Sequence, residues 1–263
     1  MSLYRIFRQE VARNLPAVAP SAGPDPEYWP PSLPEPAERF LRFAGVASRP
    51  RDWSFRVGFT GRFRTRPQQG WMRCEAWQYN CRPALRCFYI RIRFAGLVPV
   101  VGRDTYLHGK GRMLVKLLDL FPVADGQGEE YDTSELVSYL NDAVLIAPSM
   151  LLVPAVSWAA VDEDAFDVSL TSHGRTVTGR VLVDRLGAPR EFSTTDRFCY
   201  DPREPRKLIR ARWTTPIDGW EIPDGRPSPT RAQAVWHLPG GPFPYADFRR
   251  IPGSLVFNIP PSA

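Results

Sequence analysis

The segment from Trp53 to Arg64 constrains the fold of this chain most strongly, because it alternates strictly between two kinds of side chain. One set is mostly aromatic or apolar and consists of Trp53, Phe55, Val57, Phe59, Gly61 and Phe63. The interleaved set consists of Ser54, Arg56, Gly58, Thr60, Arg62 and Arg64. Side chains on a β-strand alternate between its two faces, so the segment predicts a strand with an aromatic face opposite an arginine-bearing face. A sheet with such a face must cover it with a helix, a second sheet or a ligand.

The rest of the chain is typical of an antiparallel sheet interrupted by one long helix. Asp132 as an N-cap, with Glu135 three residues later, indicates a capping box that starts a helix over residues 133–147. Pro148 ends that helix because it cannot continue the hydrogen-bond pattern. Further strands are predicted at residues 71–79, 86–94, 98–107, 112–121, 155–161, 165–171, 176–183, 191–198, 208–214, 232–238 and 254–258. This pattern predicts an α+β fold that is mainly β.

Two regions are predicted along the chain. Residues 1–45 contain an N-terminal helix over 1–15, a proline-rich arm over 16–36 and a second helix over 35–43. Residues 46–263 form a single antiparallel domain with the helix of residues 133–147 inserted. We expect the first helix to dock on its own domain, with peripheral contact to a membrane surface as the alternative. The apolar side of this helix carries Leu3, Phe7, Val11 and Leu15.

The net charge of +6 raises the question of nucleic-acid binding, but the arrangement of the charges argues against it. Only three of the 34 basic residues are lysines, and the arginines are scattered among 28 acidic residues rather than gathered in a block. Many of them alternate with apolar residues on predicted strands, which is typical of a solvated outer face. We therefore predict that the protein has no nucleic-acid partner.

The N-terminal segment and the cysteines bear on the cellular compartment. Residues 1–15 lack the apolar core of a secretory signal because Arg5, Arg8 and Arg13 interrupt them. No apolar run approaches the roughly 20 residues that span a bilayer. We therefore predict a cytoplasmic protein without a membrane span, and four reduced cysteines, none of which belongs to a Cys-x-x-Cys pair. The sequence leaves the oligomeric state open.

Many short motifs in a fixed order resemble a bacterial family of unknown function over about residues 35–260. They are Gly102-Arg103-Asp104-Thr105-Tyr106, Gly109-x-Gly111-Arg112-Met113, Leu140-Asn141-Asp142, Ala147-Pro148-Ser149-Met150-Leu151-Leu152, Trp158-x-x-Val161-Asp162, Asp184-x-x-Gly187, Phe192-Ser193-x-x-Asp196-Arg197, Trp213-Thr214-Thr215-Pro216, Ala234-Val235-Trp236, Phe243-x-Tyr245 and Asn258. That family has no established activity to carry over. The order of elements is also similar to that of lipoprotein carriers. This resemblance implies a large, curved, half-barrel-like antiparallel sheet covered by two or three helices.

The first functional hypothesis is a binding module that holds an apolar or aromatic small molecule on the concave face of the sheet. Clustered indole rings favour a pocket, although packing in the core is the commoner role of any single aromatic residue. Polar residues at one end of the pocket would anchor the ligand, although Asp196 and Arg197 also suit a structural ion pair. The candidate ligand-binding residues are Arg103, Asn141, Trp158, Arg197, Trp213, Trp236 and Tyr245.

The second hypothesis is a cofactor-independent enzyme that acts on such a ligand by acid–base chemistry. Its candidate catalytic residues are Asp104, Tyr106, His108 and Asp196, whose ordinary alternative is a structural hydrogen-bonded cluster. The third hypothesis is a structural or partner-binding protein that uses the proline-rich arm of residues 16–36. We predict no metal and no cofactor, because known ligand spacings and nucleotide fingerprints are absent from the sequence.

Overall fold

The computed structural model describes residues 1–16, 28–94, 96–204, 206–222, 225–258 and 260. The helices are α1 (Leu3–Asn14), α2 (Glu35–Phe43) and α3 (Glu129–Ile146), with short 3-10 helices at Val46–Ser48 and Pro148–Leu151. None of the described helices is both long and apolar enough to cross a membrane. The strands are β1 (Ser54–Phe63), β2 (Met72–Cys81), β3 (Leu85–Phe94), β4 (Val98–Leu107), β5 (Lys110–Leu117), β6 (Phe121–Gln127), β7 (Val156–Asp162), β8 (Ala165–Ser172), β9 (Arg175–Val183), β10 (Pro189–Thr194), β11 (Phe198–Tyr200), β12 (Leu208–Arg210), β13 (Arg212–Pro216), β14 (Trp220–Glu221), β15 (Ser228–Pro229), β16 (Arg231–Leu238), β17 (Gly241–Arg250) and β18 (Val256–Phe257).

One antiparallel sheet of 14 strands dominates the fold. Its strand order is β6-β5-β4-β3-β2-β1-β17-β16-β13-β10-β9-β8-β7, and β18 pairs with β1. The outermost strands β6 and β7 do not pair with each other, so this sheet stays open within the described residues. Two small sheets, β11-β12 and β14-β15, lie apart from it. The predicted α+β, mainly β fold, with a large curved antiparallel sheet and covering helices, is confirmed.

The two faces of the sheet carry different helices. On the face that we call concave, Tyr106 packs in the main core with Leu136 and Leu140 of α3. On the opposite, convex face, Tyr89 packs with Phe7 of α1. The alternation seen in the sequence therefore separates two sets of packing partners, because neighbouring residues of one strand point to opposite faces.

Helix α3 begins earlier than the sequence predicts. Its first residue is Glu129, so Asp132 lies inside the helix rather than capping it. The Asp132 carboxylate is buried and accepts the backbone N–H of Gly111 at 2.7 Å. Its other oxygen lies 3.2 Å from Lys110 Nζ. A Cβ at Gly111 would come within 2.2 Å of the carbonyl oxygen of Tyr131, so glycine is required where β5 meets the helix.

The predicted strand at residues 191–198 is interrupted. Strand β10 ends at Thr194, and β11 begins at Phe198 in a different sheet. The chain turns away between them because Thr194 Oγ1 accepts the Asp196 N–H at 3.0 Å, while the Asp196 carboxylate accepts the Thr178 N–H at 2.9 Å. Asp196 and Arg197 therefore sit in a bend rather than on opposite faces of a strand.

Strand β17 is absent from the sequence-based prediction, although it joins the two halves of the sheet by pairing with β1 and β16. Pro242 and Pro244 cannot donate to a ladder and argue against a central strand. The structure accommodates them with a register shift between Ala234 and Val235 of β16. Such a bulge leaves one residue outside the regular pairing.

Helix α1 matches the prediction for residues 1–15. Leu3, Phe7, Val11 and Leu15 are all buried against the convex face. The alternative of membrane contact through the apolar side of this helix is therefore wrong, because that side already packs on the domain. Most of the predicted proline-rich arm falls in residues 17–27, outside the described residues. The four cysteines are free, as predicted.

We expect Phe7→Ala to lower the free energy of unfolding by about 3 kcal/mol, the usual cost of deleting a buried aromatic ring. The Phe7 ring centroid lies 6.2 Å from that of Tyr79 and 5.8 Å from that of Tyr89, so the substitution opens a cavity between α1 and the sheet. Urea denaturation measures the change. Arg13→Ala, on the exposed side of α1, is the matched control and should change stability little. Equal effects of the two substitutions would show that α1 does not contribute to the core.

Candidate functional site

A cavity of about 510 Å³ lies on the concave face, between the sheet and α3. This volume falls within the range of roughly 300–1,000 Å³ that is typical of small-molecule sites. The Phe59 and Phe248 rings stack with their centroids 5.8 Å apart. The apolar lining from the sheet consists mainly of Phe59, Phe63, Phe88, Ile90, Ile92, Val100 and Phe248.

A wall of larger aromatic side chains closes the cavity on the side of β13, β16 and β17. Trp213, Trp236 and Tyr245 all line it. Trp213 Nε1 donates a hydrogen bond to Tyr245 Oη at 3.2 Å. The Trp236 and Tyr245 rings lie nearly parallel, with centroids 6.2 Å apart. The indole N–H of Trp213 is therefore satisfied within the wall, and the ring faces remain available for packing.

Arg197 extends over this wall. Its guanidinium carbon lies 4.1 Å from the ring centroid of Trp213 and 5.7 Å from that of Trp236. The bend after β10 brings the side chain there. No ion pair involves Arg197 in the described part of the chain. Its guanidinium N–H groups are donors that a ligand in the cavity could use, while the stacked indoles hold the planar group in place.

A cluster of polar side chains connects α3 to strands β2 and β3. Arg86 Nη1 lies 2.8 Å from Glu135 Oε2, and Arg86 Nε lies 2.7 Å from Asp142 Oδ2. Gln78 Nε2 also donates to Asp142 Oδ2 at 2.6 Å, and Asn80 joins at 3.3 Å. The guanidinium is almost completely buried, so each of these partners compensates for lost hydration.

Two carboxyl groups of the cavity have raised pKa values. Burial raises the pKa of Asp104, although Arg86, Arg197 and Arg103 act against this shift. Burial and the nearby charge of Asp104 raise the pKa of Glu135 to about 7, again against the effect of Arg86. The two groups influence each other, so protonation of one makes ionisation of the other easier. Both carboxyls therefore retain protons to higher pH than exposed ones.

The small sheet β11-β12 covers part of the cavity, and Phe198, Tyr200 and Leu208 line it from that side. Tyr131 of α3 and Tyr200 of β11 share a hydrogen bond of 2.8 Å between their hydroxyls. The backbone N–H of Phe198 donates to Ser134 Oγ at 3.1 Å. These two contacts fasten the β11-β12 hairpin to the first turns of α3.

Six of the residues singled out in the sequence meet at this cavity. They come from different elements, namely β4, α3, the bend after β10, β13, β16 and β17. The six are Asp104, Asn141, Arg197, Trp213, Trp236 and Tyr245. Asn141 accepts a hydrogen bond from Thr215 Oγ1, which links α3 to β13.

The other five lie elsewhere. Arg103 points to the convex face, where it pairs with Glu10 of α1. Tyr106 is fully buried in the core, Trp158 packs against the Phe166 ring, and the Asp196 carboxylate binds the Thr178 N–H. His108 is exposed at the β4–β5 turn, with Nε2 3.1 Å from Asn14 Oδ1. The predicted catalytic set therefore does not come together, because only Asp104 reaches the cavity.

The polar cluster around Arg86 is absent from the sequence-based prediction. Gln78 and Asn80 on β2 and Arg86 on β3 are polar positions on strand faces that otherwise carry apolar side chains. Each such residue requires a buried partner, and this is the signal that the sequence contains. The partners Glu135 and Asp142 lie seven residues apart on α3, which places them on one side of the helix two turns apart. No group of metal-binding side chains occurs among the described residues.

The fold and the site define a class of protein, an open antiparallel β half-barrel that encloses an aromatic-lined cavity beneath a long helix. The chain belongs to the family of unknown function DUF6544, whose model matches residues 28–248. This confirms the family resemblance seen in the sequence. A comparison with functionally curated proteins gives no match.

Solved structures of similar topology come from several bacteria. A DUF1329 family protein from Desulfovibrio piger is 13% identical, with a TM-score of 0.43 over 85% of this chain and 92% of that one. A LolA superfamily protein from Nitrosomonas europaea is 12% identical, with a TM-score of 0.42 over 85% and 93%. A structure described as an outer membrane lipoprotein-sorting protein domain from Vibrio parahaemolyticus is 9% identical, with a TM-score of 0.39 over 84% and 93%. At these identities the similarity concerns the fold, and the ligand must be argued from the cavity.

The prediction of a cytoplasmic location is not upheld; the similar structure from Vibrio parahaemolyticus is itself described as an outer membrane lipoprotein-sorting protein domain. That prediction depended on the arginines that interrupt residues 1–15. In the structure this segment is α1, whose apolar residues pack on the sheet. Its sequence is therefore explained by packing and does not identify the compartment.

We expect Glu135→Gln to change how stability depends on pH. Glu135 has a pKa raised from its ordinary 4.5 to about 7, so the folded state binds more protons than the unfolded state between these values. The free energy of unfolding should therefore fall as pH rises through this window, by at most about 3 kcal/mol from this group. Glu135→Gln should remove this fall, and chemical denaturation at several pH values measures it.

Glu129→Gln, at the exposed start of the same helix, is the control and should leave the pH profile of the wild type unchanged. A fall of the same size in Glu135→Gln and in the wild type would contradict the assignment of this titration to Glu135.

Proposed function

We propose that the protein binds an amphipathic small molecule in this cavity, with an apolar or aromatic body and an anionic end. The observation that carries the proposal is the cavity of about 510 Å³, which α3 and the β11-β12 hairpin cover without filling. A well-packed interior leaves few voids larger than a water molecule. A space of this volume lined by aromatic rings therefore favours an occupant over simple core packing.

The lining of the cavity suits a ligand whose body is apolar or aromatic. The Phe59–Phe248 stack and the Phe88 ring offer flat apolar surfaces on one side, and the Trp236–Tyr245 pair offers another. An apolar or aromatic body buried between them gains about 25 cal/mol for each Å² removed from water. Ring faces also favour offset or edge contacts with an aromatic ligand.

The end of the ligand is argued from the balance of charge. Arg86 is compensated by Asp142, with which it makes a direct ion pair. Their raised pKa values lessen the negative charge of Asp104 and Glu135 relative to that of exposed carboxyl groups. Arg64 and Arg197 both line the cavity without an ion pair among the described residues, but Arg64 already donates to the carbonyl oxygens of Pro244 and Pro67, which leaves Arg197 as the cation for a ligand. A carboxylate, sulfonate or phosphate near Trp213 would accept hydrogen bonds from it.

The geometry favours binding over the acid–base hypothesis. The acid–base hypothesis needs Asp104, Tyr106, His108 and Asp196 to converge, and only Asp104 lines the cavity. The scaffold hypothesis depends on the proline-rich arm of residues 16–36, most of which lies outside the described residues.

We expect Ala232→Phe to weaken binding at least tenfold, because Ala232 lines the cavity on β16 and a phenyl ring there would occupy ligand space. Fluorescence titration with phenylnaphthylamine, an uncharged aromatic probe, measures the affinity. Ala160→Phe makes the same change at an exposed position of β7 and should bind the probe like the wild type.

Native mass spectrometry before and after organic extraction would identify any molecule that the purified protein carries. No binding of the probe by extracted wild-type protein would contradict the proposal.

We expect Arg197→Gln to weaken binding of anilinonaphthalene sulfonate about tenfold, the loss of one hydrogen bond to a charged group. Phenylnaphthylamine has the same ring system without the sulfonate, so its affinity should stay nearly constant. Paired titrations of both probes give the comparison, and Arg203→Gln at an exposed site is the control. Equal loss for the two probes would show that Arg197 shapes the cavity without recognising an anion.

A further inference from the structure

Exposed apolar side chains gather in two neighbouring hairpin connections of the sheet. Phe94 and Leu97 belong to the connection between β3 and β4, and Leu97 is 88% exposed. Leu118, Leu120 and Phe121 belong to the connection between β5 and β6, and Leu120 is 68% exposed. We call these five residues the apolar tips. Single exposed apolar residues are ordinary on a protein surface, but a cluster of this kind marks an interaction site.

The strand register places both connections at one end of the sheet. Phe94 pairs with Val98 across the first hairpin. Val100 pairs with Leu117, which in turn pairs with Phe121 across the second. The β5–β6 connection is also tied to the start of α1, because the backbone N–H of Leu3 donates to Asp119 Oδ1 at 2.7 Å. The apolar tips therefore protrude from the same end of the sheet, and the contact with α1 holds the β5–β6 connection in place.

An arginine-rich hollow of about 1010 Å³ adjoins the apolar tips on the convex face. Arg91 and Arg93 lie on β3, just before Phe94. Arg73 lies on the adjacent strand β2, and Arg249 lies on β17, which β1 separates from β2. We call these four residues the arginine face. All four are exposed, and none of their guanidinium groups makes an ion pair or hydrogen bond with another described residue.

Acidic residues do not neutralise the arginine face. Asp247 lines the hollow, but its carboxylate lies 2.8 Å from Arg62 and 2.7 Å from Arg231, which belong to neither group. These two guanidinium groups lower the pKa of Asp247 to about 2, so its carboxylate stays ionised and its charge is compensated by Arg62 and Arg231. Glu75 is the other acidic residue of this lining. The hollow therefore presents a surplus of positive charge to any partner.

We propose that the apolar tips and the arginine face together dock the protein on the surface of an anionic phospholipid bilayer. Leucine and phenylalanine side chains on protruding hairpins enter the boundary between headgroups and acyl chains, where interfacial segments bury their apolar surface. The adjoining arginines lie at the depth of the lipid phosphates and bind them electrostatically. Charge complementarity selects this occupant, since a second copy of the chain would oppose one arginine face to another.

The experiment is flotation of the full chain with two kinds of vesicle, pure phosphatidylcholine and equal parts of phosphatidylcholine and phosphatidylglycerol. The wild type should bind the anionic vesicles, and less strongly at high salt. Arg91→Gln with Arg93→Gln should weaken that binding about 30-fold, from the contribution of each arginine at a membrane surface. Leu97→Ser with Phe121→Ser should weaken it at least about tenfold, because two exposed apolar side chains are removed.

Leu186→Ser with Arg185→Gln is the matched control, since both residues are exposed in the turn between β9 and β10. It should float like the wild type. Wild-type protein that stays unbound with anionic vesicles at low salt overturns the proposal, as does equal binding by all three double variants. Binding to polyglutamate or heparin without binding to vesicles also overturns it and identifies an acidic macromolecule as the partner. Unchanged flotation of Ala232→Phe would separate this surface from ligand binding in the cavity.

Discussion

The site depends on the ion pairs of the buried Arg86 guanidinium, because these contacts hold α3 against the sheet. Arg86 lies on β3 and contacts Glu135 and Asp142 from two successive parts of the helix. A buried ion pair adds little net stability once its desolvation is counted, but losing one partner costs several kcal/mol. Any other rotation or translation of α3 would leave a buried charge without its partner. The cluster therefore determines where the helix lies, and the cavity is the space that this position leaves over the sheet.

The cavity stays open because hydrogen bonds hold the side chains of its walls in place. Trp213 is fixed by its hydrogen bond to Tyr245, and Asn141 is fixed by Thr215. The β11-β12 hairpin is fastened to α3 through Tyr131 and Ser134. Rings held in this way cannot collapse inward without breaking buried hydrogen bonds, which are costly to lose. The structure thus maintains an apolar space that ordinary core packing would close.

The cavity that we propose as a ligand site and the surface that we propose for membrane docking meet at one end of the sheet. Ile92 and Val100 line the cavity and lie close in sequence to the connection between β3 and β4, which carries two of the apolar tips. An apolar chain would therefore travel a short distance between a bilayer and the cavity. The concave and convex faces contribute differently, because one supplies rings for the ligand and the other supplies arginines for phosphates.

Local patterns in the sequence determined much of the fold. The alternation from Trp53 to Arg64 predicted a strand with two chemically distinct faces, and the spacing of Leu3, Phe7 and Val11 predicted the buried side of α1. These inferences succeed because strand and helix periodicity act over a few residues. Six of the eleven candidate site residues also line the cavity, and two of them, Trp213 and Trp236, belong to the main core as well.

Only the tertiary structure decided which polar residues meet. Glu135 and Asp142 lie 49 and 56 residues from Arg86 in the chain, so no local pattern could pair them. Arg103 and Arg197 looked equivalent in sequence, but a strand face directs the first to α1 and a bend directs the second to the indoles. Strand β17 was hidden by its prolines, which a bulge accommodates. Periodicity determines the faces of single elements, whereas burial of charge across distant elements determines the site.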